Sequence, residues 1–357
     1  MQITAWWPIL HSYKKNRMKQ YFPKLTEIEK NKIDVWRGIL TFLVLICHSF
    51  QFFAPSNFWD FFDAEKTHGF FHYCAIAFLV MSGFVIFYSL ENNYLNKKTV
   101  NYKDFLIARI SRLYPPLFLT FICIYVLKIL NKILNTNILE YKQLSMFDYI
   151  DFVLLKNLNI GKVNGPLWTL MFEMWYYVLA ILIYKCFRTT KKGTIILNIS
   201  ICVCILLFMY KNISPNSLLY FALFLIGPTY LILKKVLSNK IILIVSLLFS
   251  LLFFIINFKF FKNQSYLQIW WMQILLAITF VGALFSVPDS KYFKKIATFS
   301  YTLYIIHFPV FLFFNHYLTK NYLTIIISIC SIMTISYFIS RFIEQKNNFK
   351  NFIYKHF

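Results

Sequence analysis

Apolar residues along this chain gather into ten long runs, near 35–54, 69–90, 113–130, 166–187, 194–210, 217–233, 241–257, 268–287, 300–317 and 321–340. Short polar stretches separate them. Each run is about long enough to cross a hydrocarbon layer of roughly 30 Å as an α-helix. The pattern predicts an all-α, polytopic membrane protein with about ten transmembrane helices. It divides the chain into a segment 1–33, a membrane domain 34–340 and a tail 341–357. An even number of spans places both termini on one side.

Charge decides which side. The segments on the side of the termini carry 26 Lys and Arg, and the intervening connections carry 9. Basic residues are retained on the cytoplasmic face, so an N-in, C-in arrangement is expected. The same bias accounts for the net charge of +23 without nucleic acid. The composition agrees: 59% of residues are hydrophobic and 14% charged, against about 25% charged in soluble domains. The seven cysteines lie in or at the ends of apolar runs, which reads as buried thiols rather than disulfides or metal ligands. Trp6-Trp7-Pro8 and the basic residues after it lack the apolar core of a signal peptide. The longest outer connection, 131–165, has room for a short interfacial or re-entrant segment and is a candidate acceptor lid. No P-loop, dinucleotide fingerprint, metal-ligand quartet or nucleophile elbow is present in the sequence.

Ionisable residues inside the apolar runs are costly and point to function. Asp34-Val35-Trp36-Arg37-Gly38 opens the first run, and His48 follows Arg37 by eleven residues. That spacing is close to three helical turns, so Arg37 and His48 share a face about 16 Å apart along the axis. Glu173, five residues after Trp168, is expected at the depth of His48 on a helix running the other way. A histidine beside a carboxylate is a general base with an orienting partner; a polar pair joining helices is the alternative. Arg109 and Arg112 stand one turn apart in Arg109-Ile110-Ser111-Arg112-Leu113-Tyr114-Pro115-Pro116. With Arg37 they can form a phosphate-binding fork, or anchor anionic lipid headgroups. Met81-Ser82-Gly83-Phe84 lies in the same half of the second run. His307, in Ser300-Tyr301-Thr302-Leu303-Tyr304-Ile305-Ile306-His307-Phe308-Pro309, is a further candidate; a bond to a carbonyl freed by the proline explains it equally well. His68, His72 and His316 sit at outer ends of runs, where solvated histidines are ordinary.

Five of these segments, in this order, resemble the acyltransferase-3 family of polytopic membrane acyltransferases. They are Asp34 to Gly38 with His48, Phe78 to Phe84, Arg109 to Pro115, Gly165 to Glu173, and Ser300 to Pro309. Thr169 stands where serine is common in the family, and Phe308 where tryptophan is common. The resemblance implies transfer of an acyl group, usually acetyl, from cytoplasmic acyl-CoA to a hydroxyl. Acceptors are typically sugars of surface or lipid-linked glycans. It implies catalysis by His48 and Glu173, with donor binding by Arg37, Ser82, Arg109, Arg112 and Tyr114. Asp34, Trp168 and His307 are further candidates. No resident cofactor or metal is expected; acetyl-CoA is a substrate. The expected partners are acyl-CoA, a sugar or glycan acceptor and membrane lipid, in a bacterial inner membrane, and a homo-oligomer is compatible. A transporter or flippase for a lipid-linked glycan would line its path with similar groups, but transporters often carry internal repeats and broken helix pairs. Neither is evident here.

Overall fold

The computed structural model describes residues 20–55, 70–97, 101–135, 138, 141, 145–153, 163–260 and 266–343. His68, the segment 1–19 and the tail beyond 343 lie outside the described residues. Among the described residues the secondary structure is entirely helical. The helices are α1 (Glu27–Phe53), α2 (Phe70–Lys97), α3 (Tyr102–Ile133), α4 (Met146–Val153), α5 (Leu167–Arg188), α6 (Lys192–Asn212), α7 (Ser217–Leu233), α8 (Asn239–Phe260), α9 (Tyr266–Ala283), α10 (Lys291–Ala297), α11 (Ser300–Phe314) and α12 (Tyr322–Ile343).

A helix occupies every position predicted from the apolar runs. Six of them are long and apolar enough to cross a membrane alone, and α10 with α11, bent by 70°, makes a seventh. Helix α7, at 17 residues, is shorter than a full crossing. Two boundaries differ instructively from expectation. Helix α1 begins at Glu27, well before the apolar run, because Thr26 and Glu29 form a reciprocal capping box. Helix α3 is continuous from Tyr102 through Pro115 and Pro116. Arg109 and Arg112 therefore stand on a helix, two turns or more from its start, ahead of the apolar run expected from 113. Pro115 and Pro116 stand near the middle of this 32-residue helix, where each lacks the N–H that would bond the carbonyl four residues earlier. In the connection 131–165 the described residues include the short helix α4, whose Phe147 and Ile150 are exposed.

Helix α2 is the hub, contacting α1, α5, α7 and α9. Its closest approach is to α7. A Cβ on Gly83 would lie 1.9 Å from the Phe224 carbonyl oxygen, and one on Gly227 would lie 2.4 Å from the Val80 carbonyl oxygen. Two glycines thus let two backbones touch, a close-packing device of membrane helices. Gly38 does the same between α1 and α10, where a Cβ would meet the Phe293 carbonyl oxygen at 2.0 Å. Helices α6, α8 and α12 present exposed leucine, isoleucine and phenylalanine on their outer faces, as lipid-facing helices do.

At the end of the bundle that carries Arg37, a buried polar knot ties three segments together. The Glu91 carboxylate is 1% exposed. It accepts from the Tyr21 backbone N–H at 2.8 Å and the Tyr184 hydroxyl at 2.7 Å, and it pairs with Arg188. The Arg188 guanidinium lies 3.7 Å from the centre of the Tyr94 ring. Glu29 near the start of α1 pairs with Lys234 at the end of α7, far away in sequence.

Candidate active site

A cavity of about 280 Å³ opens between α1, α2, α3, α5 and α11, at the lower end of the volumes of small-molecule sites. Arg37, Arg109 and Arg112 all line it, with Asp34, Ser82 and Glu173. Two helices distant in sequence, α1 and α3, thus bring their cations to one space. The Arg37 guanidinium is held by Asp34, one turn earlier, at 3.0 Å. Its other arm donates to the Ala297 carbonyl at 3.3 Å and to Ser300 Oγ at 3.4 Å, at the bend between α10 and α11. Gly38 makes this possible by admitting α10 against α1. The Arg109 guanidinium lies 5.2 Å and 5.9 Å from the ring centres of Phe105 and Tyr177, within cation–π range. Arg112 is exposed.

Across from the arginines, Glu173 Oε1 accepts from Ser82 Oγ at 2.9 Å and from the Tyr177 hydroxyl at 2.7 Å. These bonds fix the carboxylate as part of the arginine-lined cavity. Neither was legible from spacing within one helix, except that Tyr177 follows Glu173 by four residues and so shares its face.

The expectation that Glu173 and His48 share one depth does not hold. Asn164 Nδ2 donates to the Ile305 carbonyl at 2.7 Å, and a Cβ on Gly165 would sit 3.3 Å from the Phe308 ring. The start of α5 is therefore level with the second and third turns of α11. The His48 ring lies 5.1 Å from Phe308 and 5.2 Å from His307, centre to centre, so it belongs to this level too. Glu173 is eight residues past Gly165, about 12 Å nearer the arginines. The physical cause is that Val163 and Asn164 are fully buried: α5 starts inside the bundle rather than at its surface. Between the two levels, Thr169 Oγ1 and the Tyr304 hydroxyl share a hydrogen bond of 2.8 Å, and Tyr304 also donates to the Pro166 carbonyl at 3.2 Å. Thr169 and Tyr304 line the inner part of the cavity, just short of the histidines.

His48 Nδ1 faces Gln51 Oε1 at 2.8 Å. A carbonyl oxygen only accepts, so the proton sits on Nδ1 and the basic nitrogen is Nε2. His307 Nδ1 likewise faces a carbonyl oxygen, that of Leu303, at 2.9 Å. The carbonyl that Pro309 deprives of its helical donor is that of Ile305, and Asn164 serves it. His307 is therefore not spent on that repair, and its Nε2 meets no hydrogen-bond partner among the described residues.

Besides His48 and His307, two sequence candidates fall outside the cavity lining. Tyr114 is half-buried and turned away, two residues beyond Arg112 and so on the opposite face of α3. Trp168 packs against Tyr220 of α7 at 5.0 Å and Phe172 at 5.8 Å. Conversely, Lys30, Thr41, Tyr177 and Tyr301 line the cavity and were not singled out by the sequence. Among the described residues no group of three metal-ligating side chains occurs.

An all-helical bundle of apolar helices, with an arginine-lined cavity at one end and a histidine pair about three turns along, defines an integral membrane protein. The family model described as an acyltransferase domain matches residues 30–341. The chain belongs to that family, Acyl_transf_3, and is a membrane acyltransferase. No curated protein and no solved structure matches the chain significantly.

Proposed function

We propose that this protein transfers an acetyl group from cytoplasmic acetyl-CoA to a hydroxyl of a sugar in a surface or lipid-linked glycan. The observation that carries the reading is the convergence of Arg37, Arg109 and Arg112 on one cavity. Phosphate groups are the natural partners of clustered guanidinium groups, and CoA carries three. The donor enters from the cytoplasm in a ten-span, N-in, C-in topology, in a bacterial inner membrane, and no resident cofactor takes part. The phosphates stay at the arginines while the thioester reaches past Thr169 and Tyr304 towards His48.

In this scheme His48 Nε2 takes the proton of the acceptor hydroxyl as its oxygen attacks the thioester carbonyl. The carbon–sulfur bond breaks, and the CoA thiolate receives the proton back from the imidazolium. Atoms and charge balance without a further reactant. Glu173 serves the donor end: with Ser82 and Tyr177 it offers acceptors and donors to polar groups of the CoA arm.

The test is release of free CoA from acetyl-CoA, and transfer of labelled acetyl to membrane glycans, by purified protein in lipid nanodiscs. Turnover that depends on His48 supports the reading. Absence of both CoA release and saturable CoA binding overturns it.

A further inference from the structure

Lys295 and Arg341 come from two different helices to one aromatic ring. Lys295 Nζ lies 5.3 Å from the centre of the Tyr337 ring, and the Arg341 guanidinium lies 5.6 Å from it, both within cation–π range. Arg341 follows Tyr337 by one turn of α12, whereas Lys295 arrives from α10. The ring itself stands edge-on to Phe299, with centres 5.6 Å apart. Both cations are exposed, and among the described residues neither pairs with a carboxylate. The adjacent Lys294, by contrast, is paired with Asp289 at 2.9 Å. Two like charges gathered at one ring repel each other, and an anion between them turns that repulsion into attraction.

The place of the pair in the fold says which anion. Helix α10 ends at Ala297, whose carbonyl accepts from Arg37, so the two cations stand at the end of the bundle that carries Arg37. Helix α12 is long and apolar enough to cross a membrane, and it exposes Ile327, Ile335 and Phe338. Arg341 follows Phe338 by three residues, so the apolar stripe runs along the helix and finishes at a cation. A tyrosine beside basic side chains at the end of such a stripe belongs at the headgroup layer. We infer that Lys295 and Arg341 bind the phosphate of an anionic glycerophospholipid, whose acyl chains lie along Ile335 and Phe338. A phosphodiester offers oxygens to both cations at once, and its hydrocarbon continues down the exposed face of α12. A zwitterionic lipid brings the same phosphate with an ammonium group that opposes the two cations, so it binds less well. Neither residue lines the arginine-rich cavity, and the inference is independent of the acyl-transfer reading.

The experiment offers the full-length protein in detergent equal amounts of phosphatidylglycerol and phosphatidylcholine with the same chains, and reads bound lipid by native mass spectrometry. The wild type should retain phosphatidylglycerol over phosphatidylcholine by roughly tenfold or more, each cation contributing about fivefold. Lys295→Gln and Arg341→Gln should each lower that ratio about fivefold, and the double variant should bring it close to one. Lys192→Gln removes an exposed lysine from a different helix, α6, and should leave the ratio at its wild-type value. The cavity arginines stay intact in every variant. Equal retention of the two lipids by the wild type overturns the inference. So does a ratio that survives the double substitution, or one that Lys192→Gln lowers as much. Displacement of the lipid by millimolar glycerol 3-phosphate would assign the pair to a free phosphate and overturn the lipid. If the double variant does not fold, cross-linking of a photoactivatable phosphatidylglycerol to the wild type decides: adducts on α10 and the last turns of α12 support the site, and adducts confined to other helices overturn it.

Discussion

Ser82 on α2 donates its hydroxyl to Glu173 on α5 at 2.9 Å, and both side chains face the arginine-lined cavity. A bond between a hydroxyl and a carboxylate across two packed helices couples their energetics. Ser82→Ala and Glu173→Gln are expected to weaken CoA binding non-additively, with an interaction energy of about 0.5–3 kcal/mol in a double-mutant cycle. Isothermal titration of CoA into the two single variants and the double variant measures it. Strict additivity would mean that the pair does not act as a unit in donor binding. Glu173→Gln should also leave the pH dependence of transfer unchanged, because the carboxylate lies about 12 Å along the bundle from His48.

The arginines differ in how firmly they are held, and their variants should differ accordingly. Arg109 lies against two aromatic rings inside the cavity, whereas Arg112 is exposed. Arg109→Ala should weaken CoA binding by about 1.5–3 kcal/mol, the worth of a charge-assisted hydrogen bond. Arg112→Ala should cost less, since an exposed charge is screened by solvent. Asp34→Asn should act through Arg37, whose guanidinium Asp34 anchors at 3.0 Å. Unchanged CoA affinity in all of these variants would assign the cluster to lipid headgroups.

Much of the architecture was written in the apolar runs, because a helix in a membrane must satisfy its own backbone and announces itself by length and hydropathy. The alignment of Arg37 with His48 was equally legible, since both lie on one helix and its period is fixed. What escaped was the relative depth of different helices. Glu173 was placed opposite His48 on the assumption that α5 starts at the membrane surface. Its start is set instead by Asn164, buried and bonded to the Ile305 carbonyl, which no periodicity reveals. The Glu91–Arg188 pair escaped for the same reason: its members are far apart in sequence and joined only by the fold.

The contact of α2 with α7 should be intolerant of a single methyl group. A Cβ at Gly83 would stand 1.9 Å from a backbone oxygen, which no rotamer change relieves. Gly83→Ala should lower stability by about 1–3 kcal/mol or more. Gly193→Ala, where a Cβ meets nothing within 4 Å, should instead be neutral or stabilising by about 0.5–1 kcal/mol through helix propensity. Thermal unfolding in detergent, followed by thiol-reactive dye at the buried cysteines, compares the two. Equal melting temperatures would show that the helices part easily.

The pairing of Glu91 with Arg188 should matter more to folding than to chemistry. Breaking a buried pair leaves an uncompensated charge and costs about 3–5 kcal/mol. Glu91→Ala is expected to lower the melting temperature and the yield of folded protein, with the CoA affinity of the folded fraction close to wild type. A loss of CoA binding at unchanged stability would make the knot part of the donor site.

His48→Gln is the variant that separates base catalysis from packing. His48 stands with His307 and Phe308 where the start of α5 meets α11, about 16 Å along α1 from Arg37. Its Nδ1 is turned to Gln51 at 2.8 Å, which leaves Nε2 as the nitrogen that can take a proton. Glutamine places an amide near that position and fills a similar volume, but has no basicity. Loss of a general base costs about a hundredfold to ten-thousandfold in rate. His48→Gln should therefore lose transfer by at least that lower factor while CoA affinity and melting temperature stay near wild type, because the cavity arginines lie at the other level of the bundle. Transfer assays with labelled acetyl-CoA, run beside CoA titration, separate the two effects. Near wild-type turnover in the glutamine variant would show that His48 packs rather than reacts, and the proton would have to leave through His307.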